Sequence, residues 1–188
     1  MIVFLIAALI ATPRPPRTGA TPQTPVQQEQ LTDAELKERV QTYLSTIERP
    51  ISAARWKALG PKAAPLLEAV IADGAQFPTT RAMAVDGLIA VAPDRAAALV
   101  GKLARDETEP VVVRVAAMHG AGQVLSSPRA VSELRPVLRS AKNAGLRAQA
   151  AEAMSRSKGG CTEVRDQVAR EPKANRGAFE RALKRCGE

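Results

Sequence analysis

The chain has 188 residues, the length of one ordinary domain, and its 27 Lys+Arg against 19 Asp+Glu give a formal net charge of +8. Hydrophobic residues make up 45% but aromatics only 3%, and 35 alanines fill the gap, a composition that favours closely packed helices over a sheet. One His and two Cys, at positions 119, 161 and 186, exclude histidine-rich metal centres, zinc ribbons and iron–sulfur clusters, which need about three or four such ligands each. No metal and no other cofactor is expected.

Residues 2–11, IVFLIAALIA, form an uncharged apolar run followed by Pro13, Pro15 and Pro16 with Arg14 and Arg17. As a helix the run would reach about 15 Å, half of a bilayer core of roughly 30 Å, so no transmembrane span is expected. Its length fits the apolar region of a secretory signal. Residues 1–20 are therefore read as a signal peptide, with Ala11 or Ala20 as the small residue before cleavage, although no Lys or Arg precedes the run. The protein is expected to be exported, to a periplasm or the medium; the plainer alternative is a frayed apolar N-terminus. Residues 21–31 continue a Pro-, Thr- and Gln-rich stretch and read as a disordered linker.

Order is expected over residues 32–187. Thr32-Asp33-Ala34-Glu35 has the pattern of a capping box, and Leu36, Val40, Tyr43, Leu44 and Ile47 follow at helical spacing. Pro- and Gly-marked breaks then recur every 10 to 18 residues, giving about ten helices: 33–48, 51–59, 62–73, 79–91, 94–105, 110–125, 129–141, 144–156, 161–170 and 174–186. Pro61, Pro93 and Pro128 fall in first turns, where they are tolerated; Pro65 and Pro136 fall inside and should shorten or kink their helices.

A repeat underlies the pattern. Arg81–Leu88, Arg114–Ala121 and Arg147–Met154 align at a spacing of 33, with outer copies Ser52–Leu59 and Arg176–Leu183 offset by 29. A small residue, or Phe179, three positions after the Arg lets neighbouring helices approach, and stacked helix pairs share the core that one pair cannot build alone.

These residues resemble HEAT repeats of a degenerate bacterial kind. Leu99, Leu103, Asp106, Val113, Arg114 and Ala117 match that family's pattern in full, Asp73, Arg81 and Ala84 match it without the Val, and Ala58–Leu67 is similar to its join between pairs. Asn143 stands in place of the turn Asp, Asn175 precedes Arg176, and Ser52 occupies the first Arg position. The resemblance implies an all-α fold, a right-handed α-α superhelix of about five antiparallel helix pairs, with an Asp–Arg ladder and with second helices lining a concave face where partners are held.

Five positions after each repeat Arg, on the side away from the core, stand Lys57, Asp86, His119, Glu152 and Arg181. They are a candidate binding column, or a solvated face. No nucleophile is tied to His119 by any motif, so no catalytic residue is assigned. Charge is uneven: residues 129–188 hold 14 Lys+Arg against 7 Asp+Glu, whereas 61–128 hold 6 against 7. Arg135, Arg139, Arg147 and Arg156 are read as a basic patch for an acidic protein partner or an envelope polyanion. Nucleic acid fits poorly with export and with one Trp and one Tyr. The sequence thus points to a non-enzymatic, exported interaction scaffold; the alternatives are a basic nucleic-acid-binding module and, further off, a HEAT-like lyase or glycosylase. Cys161 opens the ninth helix and Cys186 closes the tenth, so an antiparallel hairpin would bring them together as a disulfide; two reduced thiols are the alternative.

Overall fold

The computed structural model describes residues 31–46 and 50–187. The expected signal segment 1–20, the linker up to residue 30, and Ile47 lie outside the described residues. Regular structure among the described residues is helical throughout: α1 (Asp33–Leu44), α2 (Ala53–Lys57), α3 (Ala64–Ala72), α4 (Pro78–Val91), α5 (Pro93–Arg105), α6 (Val111–Val124), α7 (Ser127–Ser140), α8 (Ala144–Met154), α9 (Gly160–Arg170) and α10 (Arg176–Lys184). Short 3₁₀ turns precede α3 (Pro61–Ala63) and α10 (Lys173–Asn175), and one follows α10 (Arg185–Gly187). None of these helices is long and apolar enough to cross a membrane.

Local chemistry sets the boundaries. Thr32 Oγ1 accepts from the Glu35 amide at 3.3 Å while the Glu35 carboxylate accepts from the Thr32 amide at 2.8 Å, the reciprocal capping box that starts α1. Asn143 Oδ1 caps α8 by accepting from Gly145 N at 2.8 Å and Leu146 N at 3.3 Å. Pro65 is the second residue of α3, so the helix expected over 62–73 divides into a 3₁₀ turn and an α-helix. Pro136 behaves differently: α7 continues through it to Ser140, and the ring leaves the Ser132 carbonyl without its intrahelical donor.

Helices pack as neighbours, α3 on α4, α5 on α6, α7 on α8 and α9 on α10, and the second helices α2, α4, α6, α8 and α10 also pack in succession. This is an all-α, HEAT-like solenoid. Its first pair departs from the rule. α2 is one and a half turns long and docks on α4, while α1 packs against α3, α4 and the 3₁₀ turn and meets α2 through Tyr43, which touches Trp56 and Arg55. The core runs continuously from Leu36 to Ala182 through Leu67, Leu88, Met118, Leu134 and Met154. Ala84, Ala117 and Ala150, three positions after the repeat Arg, have no exposed surface, and Phe179 fills the equivalent place in the last pair. Three positions further on stand Gly87, Gly120 and Ala153. The Trp56 ring lies 3.1 Å from where a Gly87 Cβ would sit, and a Cβ at Gly120 would overlap the Ile89 side chain. Glycine at 87 and 120 lets α4 and α6 each seat a large side chain of the preceding second helix, whereas Ala153 of α8 meets Gly122.

Candidate functional site

Arg81 and Arg114, each 7% exposed, lie in the first turns of their helices. Arg81 Nε donates to Ile71 O at 2.8 Å and Arg114 Nε to Ala104 O at 3.1 Å. Arg147 Nη1 donates to Ala141 O at 2.7 Å, and Arg176 Nε to Glu171 O at 2.9 Å. A helix C-terminus leaves carbonyls without amide partners and carries partial negative charge, so a guanidinium there satisfies both. Two of these arginines also reach the turn of the following pair. Arg81 meets Glu109 at 2.9 and 2.8 Å, and Arg147 grips the fully buried Glu171 with two bonds of 2.6 and 2.7 Å. Gln167 Nε2 donates to the same carboxylate at 2.7 Å. The Arg147 hydrogen bonds hold the Glu171 carboxyl below the usual carboxylate range against its burial.

This corrects the expected Asp–Arg ladder. Asp73 Oδ1 accepts from Ala75 N at 2.9 Å, and Asp106 Oδ1 accepts from the Thr108 amide at 3.0 Å and its hydroxyl at 2.6 Å. These aspartates brace their own turns, and Asn143 does the same, which is why Asn serves there. For Arg81 and Arg147 the paired carboxylate comes from the next pair instead.

The four arginines of the expected basic patch have carboxylate neighbours of their own. Arg135 Nε meets Glu163 at 2.9 Å; Arg139 meets Glu163 at 2.9 Å and Gln167 at 3.1 Å; Arg156 meets Glu152 at 3.8 Å; Arg147 is bound to Glu171. The first two tie α7 to α9, Arg135 with its side chain half exposed and Arg139 largely covered. Arg165, Arg170, Lys173, Arg181 and Lys184 have no carboxylate of the described residues within 4 Å. The pairing was missed because charges were counted without their partners across the stack.

The column expected from the repeat lies along the second helices. Lys57, Asp86 and His119 line one hollow of about 450 Å³ with Ile51, Trp56 and Ile89. His119, Glu152 and Arg181 line a second, of about 340 Å³, with Arg156 and Arg185. His119 is common to both. Asp86 keeps an exposed surface, and crowding by the walls of the first hollow pushes its carboxyl above the usual range, with His119 opposing. In the second, Glu152 is ion-paired with Arg185 and lies 3.8 Å from Arg156, so three arginines face one carboxylate. A larger hollow of about 600 Å³ between α1, α3 and α4, lined by Leu44, Val70 and Met83 with the exposed Phe77, went unnoticed in the sequence because its walls come from three separate helices.

Cys161 and Cys186 are joined in a disulfide, their Cα atoms 5.9 Å apart, which closes the α9–α10 hairpin. Stacked helix pairs with an arginine of the second helix bonded to the end of the first in four of them define a helical repeat protein. Residues 63–155 match the family model of HEAT repeats, and the chain is a HEAT-repeat protein. The first and last pairs, α1–α2 and α9–α10, lie beyond the matched segment. Comparison with curated proteins and with solved structures returns no match.

Proposed function

We propose that the chain is an exported, non-enzymatic HEAT-repeat scaffold that holds an acidic protein partner along the face of its second helices. The observation that carries this is the second hollow, where Arg156, Arg181 and Arg185 surround the single carboxylate of Glu152. Closer packing of the second helices than of the first supports their place on the inner, concave side of the stack. The partner chemistry follows from the surplus of guanidinium, which matches carboxylates in geometry as well as sign. Neither hollow of the column is lined by Ser, Thr or Cys, which supports binding over covalent chemistry. Trp56 and Tyr43 are buried against each other, ring centroids 5.2 Å apart, and so do not serve as stacking platforms for bases. Export rests on the apolar run 2–11 together with a disulfide that suits an oxidising compartment.

Two measurements test the proposal. Capture of partners from the native envelope by wild-type protein and by an Arg156→Glu/Arg181→Glu variant should show the main acidic partner lost at least about tenfold. An Arg165→Glu variant, changed on α9 away from the hollow, should keep it. Equal capture by all three proteins removes the site. N-terminal sequencing of the native protein addresses export: a start near residue 21 in the envelope supports it, and an intact chain in the cytoplasm overturns it.

A further inference from the structure

The joins between pairs are not alike. At the second-to-third join Arg81 is satisfied by Glu109, and at the fourth-to-fifth join Arg147 is satisfied by Glu171. Between them stands Arg114, at the same place in α6 and equally buried at 7% exposure, with Nε on Ala104 O. Its Nη atoms have no carboxylate of the described residues within 4 Å. The sequence gives the reason: 33 residues beyond Glu109 the chain carries Lys142, a cation where the neighbouring join has an anion.

A cavity of about 90 Å³ lies at this join, between Arg105, Glu107 and Arg114 of the third pair and Val137, Ser140 and Ala141 of the fourth. That is about the liquid volume of three waters, taking roughly 30 Å³ for each. The other charges nearby are engaged or turned away. Arg105 is ion-paired with Glu133; Asp106 feels the Arg114 charge but spends its oxygen on the Thr108 amide and hydroxyl; Glu107 stands exposed on the cavity rim without an ion pair to Arg114. The Arg114 side chain is more than nine-tenths buried, yet its Nη edge opens into the cavity without a carboxylate, a geometry that a bidentate anion matches.

We propose that the Arg114 pocket is a carboxylate-binding site, completed from outside the chain. An acidic side chain of a partner, or a small free carboxylate, enters between the third and fourth pairs and makes with Arg114 the contact that Glu109 makes with Arg81. The site lies at the turn edge of the stack, apart from the second-helix column, and stands whether or not that column binds a partner.

The test is thermal unfolding of the full chain in sodium acetate against sodium chloride of matched ionic strength, with a capped Gly-Glu-Gly tripeptide as a second probe. Acetate or the tripeptide should raise Tm saturably over chloride by about 3 °C. A response to both probes assigns the site to carboxylates in general; a response to the tripeptide alone assigns it to a partner's acidic side chain, and to acetate alone to a small free acid. Lys142→Glu, which supplies the missing carboxylate in cis, should raise Tm without added ligand and abolish both responses. Glu107→Gln, which removes a competing carboxylate from the rim, should leave the responses intact or larger. Neither probe exceeding chloride on the wild type, or responses that persist in Lys142→Glu, overturns the proposal. The Lys142→Glu arm does not depend on Arg114 variants folding.

Discussion

The two ends of the stack are held by different forces. At the N-terminal end α2 contributes a single buried residue, Trp56, whose ring packs edge-on against Tyr43 and fills the space left by Gly87; Arg55 lies over the Tyr43 ring at 4.9 Å. At the C-terminal end α9 and α10 bury few apolar side chains, Val164, Phe179 and Ala182. They are held instead by Arg135, Arg139 and Arg147 reaching across from the fourth pair and by the Cys161–Cys186 bond. A terminal repeat has a neighbour on one side only, and this chain shows two solutions: one large aromatic in a hole, or a set of ion pairs closed by a crosslink. The first is indifferent to salt and pH, whereas the second depends on both.

The comparison is sharpest when each end is broken in turn. Trp56→Ala should have the largest effect, about 4 kcal/mol lost in urea unfolding, because the side chain is 2% exposed and is the one buried residue of α2. Glu171→Gln should cost about 3 kcal/mol, since Arg147 is left buried without its counter-charge. That loss should shrink on acidification. The folded-state carboxyl lies below its ordinary value of 4.5, so its stabilisation is complete above that pH and disappears as pH falls through the folded value. Native-state hydrogen exchange during an acid titration should therefore show α9 and α10 opening before α2 and α4; the reverse order would break the comparison.

Cys161→Ser/Cys186→Ser should cost about 3 kcal/mol on the chain-entropy account and leave α1–α6 protection unchanged. The smallest effect is expected at Asp86→Asn. Crowding in the hollow raises the Asp86 carboxyl, so stability falls as pH rises from 3.8 through the raised value, by an amount that solvent screening of this exposed residue keeps small. Asn should raise Tm slightly at neutral pH and make no difference at pH 3.

The helical architecture is legible in the sequence because its determinants are local. Thr32 and Glu35 announce a helix within four residues, and the Arg81, Arg114 and Arg147 registers repeat with the small residues that let helices meet. The column of Lys57, Asp86, His119, Glu152 and Arg181 follows from the same period, which fixes the direction of a side chain. Period says nothing about which carboxylate will face an arginine on another helix. Glu163 lies 28 residues beyond Arg135 and Glu171 lies 24 beyond Arg147, so a segment that reads as an excess of 14 cations over 7 anions folds with its chief arginines already paired. The clue was present in the offset itself: Arg81–Glu109, Arg105–Glu133 and Arg135–Glu163 all span 28 residues.

Gly122 faces Ala153 of the next pair at close range: a Cβ there would come 3.0 Å from Ala153 O and 3.3 Å from both its Cα and its Cβ. One methyl group at this position would act as a shim between α6 and α8. Each pair rests only on its neighbours, so a displacement of a few tenths of an ångström at such a pivot tilts the pairs beyond it as one body, and distance from the pivot enlarges the movement. Arginine side chains on α8 and α10 are thereby aimed by a residue that carries no side chain, and the span between Asp86 and Arg181 can be tuned by exchanging hydrogen for methyl at a single carbon.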